Sequence, residues 1–349
     1  MKTMKAVVKY ADRDGATEIR DVPLPQPGPG EVLVEVAYVG ICGTDPHMHH
    51  NLVKFDFNFP FIMGHEFAGT IVELGPGVNG CRIGERVTAE THADYCGKCV
   101  LCRTNFYQCC RQRKGFGFHV DGAFTKYVRV PSRILHRVPE GVSLRAAALT
   151  EPLCVAYQAV VNNSRVEPGD VVVVIGPGPI GLLCAKMAAL RGASEIIVVG
   201  TQGDEARLRL ALECGATAAV NNKSEDPLKT IAARGDGYGA NLVIDTAGAS
   251  ATLKLSLDAV RPGGQITKIG WGPLPVGFSL DPLIAKSATL KGSFSHTWDV
   301  WENCLALIRH GQVDLEKLVS HVLPLDRWEE GFRLIDSKEG VKVVLTPVD

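Results

Sequence analysis

The chain has 349 residues, 46% hydrophobic, with 37 basic against 38 acidic side chains and a formal net charge of −1. That length exceeds one simple core and sets an expectation of two domains. The near balance of charge supplies neither a basic field for nucleic acid nor a polybasic patch for a membrane surface. Apolar runs such as 171–175 and 196–199 are far too short to span a bilayer. Charges scattered through the first ten residues leave no signal-peptide core.

From residue 4 to about 139 the pattern is short apolar alternations (6–8, 31–38, 67–74 and 86–89), with Val32, Val34 and Val36 on one face. Pro- and Gly-rich punctuation at 23–30 and 75–77 marks turns. Many short strands with frequent breaks predict a β-rich, barrel-like domain. Two clusters of potential ligands lie inside it, Cys42-Gly-Thr44-Asp45-Pro-His47 and Gly64-His65-Glu66. A third element, Thr150-Glu151-Pro152, comes where the alternation ends. Isolated Cys and His residues in β domains more commonly belong to core or surface. A Cys, a His and a carboxylate brought together by folding would instead hold a zinc ion with an open fourth position for water or a substrate oxygen. The neighbours favour that chemistry. Asp45 can orient a ligating His, and Thr44 and His47 can pass a proton from a bound alcohol to solvent.

Between those clusters and Glu151 lies Cys96-Gly-Lys-Cys99-Val-Leu-Cys102, followed by Cys109-Cys110. Thiolates two residues apart turn a tight knuckle around one tetrahedral ion, and four sulfurs close it, which makes the site structural. Spacing alone leaves Cys109 and Cys110 both open as the fourth ligand. The other cysteines (Cys42, Cys81, Cys154, Cys184, Cys214 and Cys304) are scattered, so the reading is a reducing, cytoplasmic setting without disulfides.

A helix is expected over 149–161, and near residue 155 the texture changes. The continuous apolar strand 171–175 runs into Gly176-Pro-Gly178-Pro179-Ile180-Gly181 and a helical stretch, 182–191. Strand, glycine turn and helix in that order give the context a dinucleotide fingerprint requires, with the pyrophosphate at the helix N-terminus. Strands at 196–199, 218–220, 242–244, 265–270 and 289–291, with helices at 204–214 and 251–260, predict a doubly wound α/β sheet. At the ribose position this chain has Gly200-Thr201-Gln202-Gly203 where an NAD-preferring crevice places Asp or Glu. That favours NADP, with Thr201, Gln202 or Arg207 as phosphate contacts. NAD stays open because Asp204 can supply a carboxylate or cap its helix. Thr246, Ile269, Gly270, Ser293 and Phe294 complete the expected cofactor contacts.

Taken in order, Cys42-Gly-Thr-Asp45, Gly64-His65-Glu66, the cysteine knuckle, Glu151-Pro152 and the 176–181 turn resemble the zinc-dependent medium-chain dehydrogenase/reductase family over essentially the whole chain. The resemblance is strongest to the sorbitol (polyol) and threonine dehydrogenase branch. It implies a GroES-like barrel domain, discontinuous over 1–154 and 292–349, and a Rossmann domain over 155–291. It also implies two zinc ions per chain. Cys42, His65, Glu66 and Glu151 would surround the catalytic zinc, with Glu66 able to ligate or exchange. Cys96, Cys99, Cys102 and Cys110 would hold the structural zinc, the family's seven-residue interval selecting Cys110. Thr44 and His47 match its proton relay, and Asp45 matches the carboxylate behind His65.

Hydride transfer between the carbinol carbon of a polyol or other secondary alcohol and NAD(P) is the implied reaction. Sorbitol dehydrogenases carry a substrate-contacting Arg in the segment 291–301, where this chain reads Gly292-Ser-Phe-Ser-His296-Thr-Trp298. The segment 48–55, with His49 and His50 as a solvated loop or a pocket rim, also departs from their pattern. L-Threonine is the alternative substrate, since Ala89-Glu90-Thr91-His92 resembles the pocket segment of threonine dehydrogenases. A catalytically silent relative and a nucleic-acid-binding zinc ribbon are the readings from other classes; the retained ligands oppose the first and the neutral charge the second. The resemblance implies a homotetramer, or next a dimer, since a sheet ending near Thr289 leaves an edge to cover.

Overall fold

The computed structural model describes residues 2–53, 56–272 and 274–348. Lys54 and Phe55, in the segment expected to depart from the sorbitol pattern, lie outside the described residues. The chain divides into two compact units, Met1–Glu151 with His296–Asp349, and Pro152–Ser295.

The first unit is β-rich. Strand Glu31–Gly40 is its axis, pairing antiparallel with Glu66–Leu74, Tyr127–Pro131 and Lys342–Thr346. Arg86–Ala89 and Leu135–Arg137 extend the sheet on one side and Val319–Pro324 on the other. Thr3–Lys9 forms a smaller sheet with Thr17–Pro23 and Phe61–Ile62. Val32, Val34 and Val36 are all buried, as their alternation predicts, and join Phe67, Phe116, Phe124 and Trp328 in one apolar core. Strand Lys342–Thr346 brings the C-terminal segment into this sheet, so residues 300 positions apart share one core.

The second unit holds a six-stranded parallel sheet. Numbered along the chain, its strands are Val171–Ile175, Glu195–Gly200, Ala218–Asn221, Ala240–Asp245, Val260–Lys268 and Thr289–Gly292, and they lie in the order 3-2-1-4-5-6. That is the dinucleotide-binding order, with a crevice between the first and fourth strands where the winding reverses. Val171–Ile175 is buried along its whole length because both faces are covered, and hence carries no alternation. The helix expected over 149–161 is instead Thr150–Tyr157 followed by a π-helical turn, Gln158–Asn162. No helix among the described residues is long and apolar enough to cross a membrane.

Candidate active site

The sulfurs of Cys96, Cys99, Cys102 and Cys110 converge at the tip of a short loop system. The separations are 3.5 Å (Cys99–Cys102), 3.6 Å (Cys96–Cys110), 3.8 Å (Cys96–Cys102) and 4.0 Å (Cys99–Cys110). A tetrahedron with metal–sulfur bonds of about 2.3 Å has edges of about 3.8 Å, so the cage has the dimensions of a zinc site. Backbone N–H groups of Cys99 and Gln112 donate to Cys96 Sγ and Cys110 Sγ, each at 3.4 Å, which suits thiolates. Cys109 is half-buried and outside the cluster.

A second set is open. Cys42 precedes the short helix Thr44–His49, and His65 and Glu66 sit at the start of strand Glu66–Leu74. Ligand atoms of these three residues lie within 4.8 Å of one another. Asp45 Oδ2 accepts the Cys42 N–H at 2.8 Å, while Asp45 Oδ1 faces His65 Nδ1 at 3.8 Å. The latter is too long for a hydrogen bond, and neither atom has another partner among the described residues. Asp45 therefore pins the loop bearing Cys42 and acts on His65 by charge. Burial raises its carboxyl to about 6, against the pull of His65. Thr44 Oγ1 lies 3.6 Å from Cys42 Sγ, placing the hydroxyl at the ligand set. His47 is exposed one turn later on the same helix. No hydrogen bond joins the two among the described residues.

Glu66 is buried and forms an ion pair with Lys342 Nζ, which also donates to Ile41 O at 2.8 Å. Burial alone would lower the lysine, but Glu66 and then Cys42 outweigh it and hold the ammonium above its ordinary pKa. The Cys42 thiol is driven well up by burial, with Glu66 adding to the effect. A bound divalent cation inverts that logic and deprotonates the ligand. Glu151 opens helix Thr150–Tyr157 and lies outside the three-residue cluster. Burial, then the nearby Glu66 charge, raises it to about 7, and its Oε1 stands 3.4 Å from His296 Nε2. Cys154 is buried and belongs to neither cluster.

Sequence reasoning missed Lys342 and His296 as members of this neighbourhood. Lys342 carried a signal, a lysine inside the otherwise apolar run 341–345. His296 carried none, since its partners lie 145 and 205 positions away in sequence. His49 packs its ring edge-on against Trp328 at 5.4 Å and Phe332 at 5.8 Å, and His50 pairs with Asp14 at 3.1 Å. His49 is half-buried in the last turn of the helix that Thr44 begins, and His50 is exposed at its C-cap. A cavity of about 920 Å³ in this unit, lined by Met4, Pro23, Phe61, Phe116 and Arg129 among others, contains none of the ligand residues. Concavity is therefore a poorer guide to the chemistry here than the donor set.

In the second unit the three fingerprint glycines do different work. Gly176 has φ +105°, and a Cβ there would meet Thr246 Oγ1 at 2.7 Å. A Cβ on Gly181 would lie 1.9 Å from Gly176 O, so that position demands glycine for helix–strand packing. Gly178, the N-cap of helix Pro179–Leu190, faces open space, which leaves room for a pyrophosphate. Pro179 occupies the first helical turn, followed by Ile180. Thr246 Oγ1 donates toward Ile175 O and Gly176 O, both at 2.9 Å, bridging the first and fourth strands at the crevice.

After strand Glu195–Gly200, Gly200 packs against Pro177 and Gln202 is exposed. Asp204 is buried; its Oδ2 accepts the Thr201 N–H at 3.0 Å and its Oδ1 lies 3.6 Å from Arg207 Nη1. Asp204 is the N-cap residue of helix Glu205–Glu213 through its backbone, its carbonyl accepting the Leu208 N–H at 2.8 Å, with no side-chain cap bond. Ile269 and Gly270 donate their N–H groups to Asp245 O at 2.9 and 3.0 Å. Ser293 accepts from Asn163 at 2.9 Å, and Phe294 meets Trp271 edge-on.

Residues 28–140 match the alcohol dehydrogenase GroES-like domain and residues 179–310 the zinc-binding dehydrogenase domain. The chain is 39% identical to a sorbitol dehydrogenase of Halalkalibacterium halodurans, covering 99% of this chain and 100% of the relative. It is 36% identical to an L-threonine 3-dehydrogenase of Thermococcus kodakarensis, over 99% and 98%. A structure from Sinorhizobium meliloti, titled as a zinc-binding dehydrogenase bound to NADP, superposes with a TM-score of 0.90 at 31% identity, covering 99% of this chain and 100% of that one.

Proposed function

Because this chain belongs to the zinc-dependent medium-chain dehydrogenase/reductase family and is an oxidoreductase acting on CH–OH donors, we propose that Cys42, His65 and a carboxylate from Glu66 or Glu151 hold its catalytic zinc. Cys96, Cys99, Cys102 and Cys110 hold a second, structural zinc. The observation that carries this reading is the pairing of one closed sulfur cage with one open Cys–His–carboxylate set in the same unit. When bound, zinc supplies a Lewis acid that acidifies a substrate hydroxyl, and the nicotinamide supplies the hydride acceptor. The chain's own residues do the rest. Thr44 would accept the hydroxyl proton at Oγ1 while giving up its own toward solvent, where His47, exposed one turn later, can take it. Lys342 neutralises Glu66 so that the buried site does not accumulate unpaired negative charge. Gly178 and the first turn of helix Pro179–Leu190 receive the pyrophosphate.

A polyol or another secondary alcohol is the preferred substrate, and threonine is second. His92, the residue implied for a threonine pocket, is fully buried and engaged by Arg113 at 2.6 Å. NADP is favoured over NAD because residues 200–203 include no Asp or Glu and Asp204 accepts inward from the Thr201 N–H; Glu205 Oε1 accepts the Gly203 N–H at 3.2 Å. Eleven cysteines with no disulfide among the described residues support a cytoplasmic enzyme. The assembly is a homotetramer or dimer: the strand Thr289–Gly292 ends the sheet, with Leu290 exposed and Ile284 80% exposed nearby in the chain. Ile284→Glu with Leu290→Lys should lower the sedimenting mass.

Metal analysis should find two zinc ions per chain, and NAD(P)H should form with polyols or secondary alcohols, faster with NADP. A single zinc ion per chain, or no nucleotide reduction across polyols, L-threonine and secondary alcohols, would remove the catalytic assignment.

A further inference from the structure

A third cluster of ligating side chains, Glu90, His92 and His296, is buried with ligand atoms within 4.8 Å of one another. It is unsuited to a cation, because its donors and acceptors are already committed. Arg113 Nε–H donates to His92 Nδ1 at 2.6 Å, and a guanidinium at a ligand nitrogen repels a metal. With Nδ1 accepting, His92 carries its proton on Nε2 and donates to His296 O at 3.2 Å. Tyr107 donates its hydroxyl to Glu90 Oε2 at 2.6 Å.

The same accounting orients His296. The indole of Trp301 is a donor only, and its Nε1–H reaches His296 Nδ1 at 2.8 Å. His296 must therefore bear its proton on Nε2. That nitrogen is hydrogen-bonded with Thr91 Oγ1 at 3.3 Å, and Glu151 Oε1 lies beside it at an ion-pair distance of 3.4 Å. The ring is fully buried, its face is fixed by edge-on contact with Trp301 at 5.2 Å, and its backbone carbonyl is held by His92. The chain of contacts also reaches the cysteine cage, because Arg113 N–H donates to Cys110 O at 3.0 Å.

We propose that His296 is a positioning residue for Glu151: its Nε2–H edge, locked in one tautomer by Trp301 and anchored at Thr91, orients the Glu151 carboxylate beside the Cys42–His65–Glu66 set. This rests on the reading of Glu151 as a carboxylate of the metal pocket. Hydrogen-bond partners behind a metal-site carboxylate fix its orientation, and their loss typically costs about 10- to 100-fold in metal affinity.

The test uses the zinc-loaded enzyme and two substitutions of opposite reach. His296→Asn keeps an acceptor for Trp301 and withdraws the donor from Glu151; His296→Gln extends an amide back toward Glu151. Zinc release to a chromophoric chelator is followed, the cysteine-cage ion serving as internal reference, together with the d–d spectrum of cobalt at the open set. His296→Asn should release the catalytic zinc about 10-fold or more readily and shift the cobalt bands, while His296→Gln stays within about 3-fold of the parent. Parental zinc retention and spectrum in His296→Asn, or equal losses in both variants, overturn the proposal. Should His296→Asn not fold, Trp301→Phe, which unlocks the tautomer, must show an intermediate loss, and parental values there overturn it equally. Glu151→Gln separates the two levels. If it leaves zinc affinity and spectrum unchanged, the underlying reading of Glu151 fails; if it changes them and His296→Asn does not, only the positioning role fails.

Discussion

Lys342→Met is the most informative single perturbation of the ligand neighbourhood. Lys342 is 2% exposed and Glu66 1%, so the substitution leaves a carboxylate in a site closed to solvent. Two losses combine. Breaking a buried ion pair from one side costs about 3–5 kcal/mol, because the remaining charge stays desolvated. Ile41 O also loses its 2.8 Å bond from Nζ, worth about 1 kcal/mol when water cannot replace it. Methionine returns part of this by packing, and there is little room for rearrangement: a Cβ on Gly40 would lie 2.5 Å from Glu66 Oε2 and 3.1 Å from Lys342 Cε. A net loss of about 3–4 kcal/mol is expected for zinc-free protein by urea denaturation. Glu66→Gln in the Lys342→Met background should recover most of it, giving a large coupling in the double-mutant cycle. The pH dependence has a defined sign. Lys342 is held above its ordinary value, so its contribution is complete below about pH 10.5 and is lost as pH rises through the higher folded-state pKa. A loss below about 1 kcal/mol, or additive single effects, would refute the argument that Glu66 depends on this partner.

Three further outcomes are expected. Cys110→Ser should release one zinc ion and destabilise the first unit, whereas Cys109→Ser should leave metal content unchanged; equal thermal losses would contradict the cage described here. Gly178→Val should retain the fold and weaken nucleotide binding by about 10-fold or more, read by fluorescence titration, because a Cβ there meets no protein atom within 4 Å and would take up the space proposed for the pyrophosphate. Gly181→Ala, by contrast, should destabilise the second unit through its clash with Gly176 O, and a stable Gly181→Ala protein would count against the close approach. Burial raises Glu90 to about 7 against the pull of the Tyr107 hydroxyl. Stability should therefore be undiminished by this group below its unfolded value near 4.5 and fall by about 3 kcal/mol as pH rises through 7. Glu90→Gln should flatten that slope, and an unchanged pH profile would show that Glu90 does not carry it.

Much of this was legible in the chain because the signals are local. The four-cysteine knuckle closes within fifteen residues, and the 176–181 turn carries its strand before it and its helix after it. The apolar run 171–175 announces a doubly covered strand by composition alone. What was illegible depends on groups far apart in sequence or on the direction of a side chain. The helix expected over 149–161 ends in a π turn that no propensity marks. Asp204 reads equally as a ribose acid or a cap, and only the tertiary structure shows its carboxylate turned to the Thr201 N–H.

By itself, then, the sequence determined which donors exist: four thiols at cage spacing, an open Cys, His and carboxylate, and a glycine turn opening a helix. These follow from covalent spacing and backbone permissiveness, which operate over a few residues. Tertiary structure decided how those donors are held. It sets Lys342 against Glu66, separates Asp45 from His65 by 3.8 Å, and ties His296 between Trp301 and Glu151. Charge pairing and tautomer selection depend on distance and direction in a water-poor interior, and neither is encoded in any window of the chain.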